Sequence, residues 1–268
     1  MHIHFLDPYQ AGFSPVHRTD ARVKLLLSIA FILTTTLIPS GAWPVYSLLF
    51  LIILSLVFLS GISVGYVYKR AALAFAFGLA ALPLVFTTPG QSLVSFVIGP
   101  WAFNITQPGL ERFLAISLKS WISVQAAILL TATTPFPELL AAMRALHIPR
   151  LIVAIIGLMW RYIFVLVDEA LRLMRARAAR SGESFSSQFR RGGRITWRAQ
   201  ITGGMVGNLF IRSIERSDRI YVAMLSRGYD GEIRTIPLSR FKASSWILLI
   251  TGLGILILLL ILSIFFGS

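Results

Sequence analysis

The 268-residue chain contains no cysteine. That excludes a disulfide framework, thiolate metal sites and thiol catalysis. Charge is scarce as well: 13% of residues are Asp, Glu, Lys or Arg, about half the ~25% of an ordinary soluble domain. The shortage is uneven. No charged side chain occurs from Leu25 to Tyr68, from Ala71 to Leu110, or from Ala243 to Ser268. Uncharged apolar runs of this length read as membrane spans. With 56% hydrophobic residues, the chain is expected to be an all-α polytopic membrane protein. The first 24 residues carry Asp7, Arg18, Asp20, Arg22 and Lys24, so they lack the apolar core of a cleavable signal peptide.

Catalytic signatures are missing too. Thr202-Gly203-Gly204-Met205-Val206-Gly207 has glycines but no following Lys-Ser/Thr, so it is no phosphate-binding loop. These glycines are expected to allow close helix–helix approach. There is no His-Glu-x-x-His. Beyond Lys24 at the very start of the first, Lys119 is the one charged side chain in the expected spans, near the outer end of one, where it can snorkel. Ion-coupled carriers keep charges near the midplane for function. The chain is therefore not expected to be an energised carrier by itself, nor an enzyme. The four histidines are His2, His4, His17 and His147. His2 and His4 beside the amino terminus have the chemistry for Ni, Co or Cu, but read as part of a flexible amphipathic terminus. His147 reads as the end of a helix.

Five spans are expected: about 24–38, 43–59, 71–88, 113–134 and 245–266. Pro39-Ser40-Gly41 separates the first two. Trp43 and Tyr46 suit one membrane interface, Tyr66 and Tyr68 the other. Segment 89–110 reads as a loop holding a short apolar piece, Leu93 to Ile98, too short to cross.

The net charge is +14, and 15 of the 25 Lys and Arg lie between Asp168 and Lys242 against 7 of the 11 acids. Beside membrane spans, such a segment belongs on the cytoplasmic side. Nucleic-acid binding is the lesser reading of the same charge. If Leu151 to Val167 crossed the membrane, the Arg-rich segment would lie outside. Leu151 to Arg180 is thus expected to be one long helix that does not span, and about Ile195 to Ser226 a second. Ser184 to Gly193 is a loop between them, and Pro135 to Pro149 a short helical unit with Glu138 in its first turn. Asp168 and Glu169 are expected to pair locally with Arg161, Arg172 or Arg175. Three parts follow: a membrane domain 1–134, a cytoplasmic domain 135–242 of one short and two long helices, and a C-terminal span 243–268.

The ends of the long helices are the most informative pieces. One ends Ala179-Arg180-Ser181, the other Ser226-Arg227-Gly228. Small neighbours let an arginine enter a partner's groove, where its planar fork pairs bidentately with a carboxylate. Ordinary helix capping would also place Arg before Gly, and Arg177 offers an alternative register for the first triplet.

With these two triplets the chain resembles the transmembrane T component of energy-coupling factor (ECF-type ABC) transporters, in its cobalt-type CbiQ branch. The triplets are similar to the family's two Ala-Arg-Gly signatures. Asp20-Ala21-Arg22-Val23-Lys24 is similar to its Asp-Pro-Arg-x-Lys stretch. Met1 to Asp7 and Gly41-Ala42-Trp43-Pro44 look like the cobalt branch. The resemblance implies a non-catalytic scaffold in a bacterial inner membrane, and the charge placement puts its N-terminus inside and its C-terminus outside. It implies two cytoplasmic ATPase partners docked on Ala179, Arg180, Ser181, Ser226, Arg227 and Gly228. It further implies a membrane substrate-binding S component and a small accessory subunit. ATP would be used by the partners, and cobalt, serving cobalamin synthesis, would be the cargo. No cofactor or metal would be bound by this chain. A nickel or vitamin importer component and a membrane-anchored nucleic-acid binder are the alternatives.

Overall fold

A computed structural model describes residues 8–98, 101–181, 195–231 and 241–266. The helices are α1 Pro15–Arg18, α2 Ala21–Leu37, α3 Trp43–Ser60, α4 Val64–Ala71, α5 Ala74–Leu79, α6 Leu84–Thr87, α7 Gln107–Thr133, α8 Phe136–Ala145, α9 Arg150–Ser181, α10 Ile195–Ser226 and α11 Ala243–Phe266. Strands β1 Ser92–Ile98 and β2 Trp101–Thr106 form one antiparallel hairpin between α6 and α7. The described residues divide into two compact units, 8–146 with 241–266, and 147–231.

The first unit is a helix bundle whose core threads one face of each long helix. Tyr46, Leu49, Ile53 and Val57 of α3 meet Phe31 of α2, Ile122, Ala126 and Leu129 of α7, and Leu256 and Leu259 of α11. The outer faces are equally apolar: Leu33, Leu51, Phe58, Ile250 and Ile264 are each more than half exposed. Water would not tolerate that surface, whereas bilayer hydrocarbon is its natural solvent. α3, α7, α9 and α11 are long and apolar enough to cross a membrane. α2, with 17 residues, lies at the lower limit for a span. Its Asp20 caps the N-terminus by accepting from the Arg22 amide at 2.9 Å. Thr34, Thr35 and Thr133 return their hydroxyls to carbonyls of their own helices, four residues back, at 2.8 Å.

Two lysines reveal how α2 and α7 run. Lys24, in the first turn of α2, donates to the carbonyls of His17 at 3.2 Å and Thr133 at 3.0 Å. Lys119 of α7 donates to the carbonyls of Thr36, at 3.1 Å, and Ile38. The start of one helix thus meets the end of the other, and each ammonium satisfies carbonyls that the partner helix leaves open. α2 and α7 are antiparallel. The chain must therefore be carried back along the bundle between α3 and α7.

The third expected span does that, but not as one helix. Residues 71–88 contain α5 and α6; a turn at 72–73 parts α5 from α4, and one at 80–83 parts α6 from α5. Pro83 lacks an amide hydrogen and disfavours a continuous helix. Three-residue bonds bridge the break, Ala81 to Gly78 at 2.9 Å and Leu82 to Leu79 at 3.0 Å, so the backbone stays satisfied. The segment climbs α7: Tyr68 meets the Trp121 ring at 5.3 Å, and residues 84–85 close on Gly109. α7 itself begins at Gln107 rather than at 113. The apolar piece in the expected 89–110 loop is β1, paired with β2. Tyr46, assigned to an interface by sequence, is buried, and its hydroxyl donates to the Pro39 carbonyl at 2.8 Å.

The unit boundary also differs from a division at 134/135. α8 packs on α2, which places it with the bundle, and the second unit starts at His147. His147 has φ 61°, the left-handed conformation that ends α8.

Candidate functional site

The second unit is the helix pair α9 and α10, each of 32 residues. Their one described inter-helix ion pair is between Arg212 and Glu169, Nη1 to Oε1 at 3.0 Å. Arg172 reaches the other Glu169 oxygen at 3.6 Å. The local pairing expected of Glu169 with Arg172 is present. Arg212, 43 residues away, was not foreseeable, because nothing local in the sequence brings it to Glu169.

A groove of about 610 Å³ runs along the pair. Leu151, Leu158 and Tyr162 of α9 line it opposite Ile220, Met224 and Tyr229 at the far end of α10 and just beyond it. The N-terminal half of α9 therefore faces the C-terminal half of α10. The helices are antiparallel, and their C-terminal tips lie at opposite ends of the pair. Measured from Glu169 and Arg212, Arg180 is about 16 Å along α9 and Arg227 about 22 Å along α10, at 1.5 Å per residue.

Ala179-Arg180-Ser181 are the last described residues of α9. Ala179 and Arg180 are exposed, and Arg177 is half-buried. Gly182 and the expected 184–193 loop lie outside the described residues, as do His2, His4 and Met1 to Asp7. Ser226-Arg227-Gly228 has a definite backbone cause. The Tyr229 amide donates to the Met224 carbonyl at 3.0 Å, and the Gly228 amide to that of Leu225 at 2.9 Å. Gly228 has φ +78°. This is a Schellman cap with Gly228 at the left-handed position. It sets Arg227 as the last residue before the chain turns away, and Ser226, Arg227 and Gly228 are all exposed. The capping and docking readings of this triplet are compatible, since the cap is what presents the arginine.

The glycines of α10 depart from expectation. Gly203, Gly204 and Gly207 lie within the helix, and a Cβ at any of them would meet nothing within 4 Å. They make no close helix approach among the described residues. Among those residues, too, no three His, Asp or Glu side chains gather in a metal-binding arrangement.

The sequence is similar to the family described as cobalt transport protein, CbiQ, over residues 12–238. It is 27% identical to a cobalt transport protein CbiQ of Rhodobacter capsulatus, with 80% of each chain covered. It is 31% identical to an energy-coupling factor transporter transmembrane protein EcfT of Lactococcus lactis, with 95% of each covered. A Methanocorpusculum labreanum chain bearing the name of a fused cobalt transport protein, CbiMQ, is 30% identical over 93% of this chain. Only 42% of that longer protein is spanned.

Proposed function

Since the chain belongs to the CbiQ cobalt transport protein family, we propose that it is the transmembrane T component of an energy-coupling factor importer for cobalt ions. In this reading it holds two cytoplasmic ATPase subunits through Ala179, Arg180, Ser181, Ser226, Arg227 and Gly228. It also holds a membrane substrate-binding S component, with a small accessory subunit beside it. The chain itself performs no catalysis, and ATP is consumed by the partners. The observation that carries the reading is the antiparallel pair α9–α10, which presents exposed Arg180 and Arg227 towards its two opposite ends. Two tips of like chemistry suit two subunits of like structure.

The placement proposed is a cytoplasmic membrane with the N-terminus inside. Parity supports it. α7 ends beside Lys24 at the start of α2, and Phe241, just before α11, lies 5.9 Å from Arg22 at that same end. The chain between α7 and α11 thus leaves and rejoins the bundle at one end. That return suits an even number of crossings and so supports the reading in which α9 does not cross alone, despite its apolar length. The three parts 1–134, 135–242 and 243–268 remain a proposed division by role, with α8 as the root of the cytoplasmic part.

Coexpression with candidate ATPase and S subunits from the same organism tests the proposal. The chain should copurify with both, and the reconstituted complex should take up cobalt only with ATP. A complex that takes up nickel or a vitamin instead would change the cargo alone. A chain that captures neither subunit, or that shifts DNA or RNA in a salt-dependent way, would overturn the T-component reading.

A further inference from the structure

Lys24 is a buried ammonium, 8% exposed, and its two acceptors lie on different elements. One is the His17 carbonyl in the N-terminal segment, the other the Thr133 carbonyl at the last residue of α7. The adjacent carbonyl, Ala132, accepts from the Gln10 amide at 3.0 Å. Both carbonyls belong to the last turn of α7, which ends at Thr133 just before Pro135, so no following amide of that helix reaches them. His17 is fixed in turn: its Nδ1 lies 2.6 Å from Ser14 Oγ and its Nε2 3.0 Å from the Gln10 carbonyl. The N-terminal segment 8–24 thus closes over the joint between α7 and α8. Glu138 stands in the first turn of α8, and Asp20 caps the start of α2. α8 packs on α2, and the chain beyond it enters the α9–α10 unit.

We propose that Lys24 is the positioning residue for energy coupling, pinning the α7–α8 joint so that force arriving through α8 moves α2 and α7 together. This rests on the T-component reading. Without the pin, the joint would absorb displacement locally, and ATP would be hydrolysed without moving the bundle. Lys119 supplies the control within the same molecule. It makes the same kind of bond, an ammonium on the carbonyls ending a helix, at the far end of the α2–α7 pair. A generic stabilising cap would make the two lysines equivalent, whereas a pin at the joint makes only Lys24 necessary for coupling.

The test uses the assembled complex in proteoliposomes, comparing wild type, Lys24→Met, Lys24→Gln, Lys24→Arg and Lys119→Met. ATP hydrolysis and metal uptake are measured on the same preparations. Lys24→Met is expected to retain both ATPase subunits, hydrolyse ATP within about twofold of wild type, and lose roughly tenfold or more of its uptake per ATP. Lys24→Arg, which keeps donors within reach, should recover most of the ratio. Lys119→Met should lower the melting temperature and leave uptake per ATP unchanged. Should Lys24→Met not accumulate in the membrane, Lys24→Gln reads the same ratio, since its shorter amide does not span to Thr133. An unchanged ratio in that variant sinks the proposal, as does an equal loss in Lys119→Met. A wild-type chain that never binds the ATPases is a different result, and removes the T-component reading itself.

Discussion

Replacing Arg180 or Arg227 by alanine is expected to weaken ATPase binding by roughly 2–5 kcal/mol, as for truncation within a buried, hydrogen-bonded charge pair. That corresponds to a loss of about thirtyfold or more in affinity, readable by titrating ATPase subunits onto the chain in nanodiscs. The size follows from the partner's side. A carboxylate or carbonyl cluster desolvated by docking is left buried and unpaired when the guanidinium is removed. Lysine should recover only part of the loss, because a point charge does not reproduce the planar fork. Membrane insertion should be unaffected, since both residues are exposed tips outside the bundle. Arg172 is the control: it reaches Glu169 at 3.6 Å with a largely exposed side chain, a contact worth little, so its alanine variant should bind nearly as wild type. Arg177→Ala settles the register of the first tip. A loss there equal to that of Arg180→Ala would move the contact one turn back. Equal losses at Arg172, Arg180 and Arg227 would mean that bulk charge, and not two docking tips, holds the ATPases.

A second large effect is expected at Gly109. A Cβ built there would stand 2.7 Å from Thr106 Oγ1 and 2.8 Å from the carbonyl oxygens of Leu84 and Val85. Two of these atoms are backbone, and Thr106 is held by its own bond to the Thr88 carbonyl at 2.9 Å, so none can simply swing aside. Gly109→Ala gains about 1 kcal/mol of helix propensity, but the forced separation of α6 from α7 costs more. Gly109→Val, the larger intrusion, should destabilise by about 3 kcal/mol or beyond, with a clear fall in the thermal midpoint of the detergent-solubilised chain. The opposite sign is expected in α10. Gly204→Ala and Gly207→Ala meet open space and should each raise the stability of the isolated chain by up to about 1 kcal/mol. If Gly109→Val melts with wild type, α6 and the start of α7 do not pack as described.

Composition and periodicity by themselves determined the class. Uncharged runs of this length cannot be exposed to water, so the membrane-embedded class follows from solvation alone. The end of α10 was equally legible, because Gly228 after Arg227 is a local signal of helix termination. The tertiary structure decided what depends on distant partners. Residues 71–88 look like one span by hydropathy, yet their backbone can break at Pro83 because α7 covers it. Segment 89–110 carries no strong strand signal until β1 finds β2. The glycines of α10 carry the same letters whether they face a neighbour or open space. Above all, Lys24 reads in sequence as the flank of a span. Only the antiparallel approach of α2 and α7 turns it into the donor for Thr133, since a helix end broken by proline must find its hydrogen bonds elsewhere in the fold.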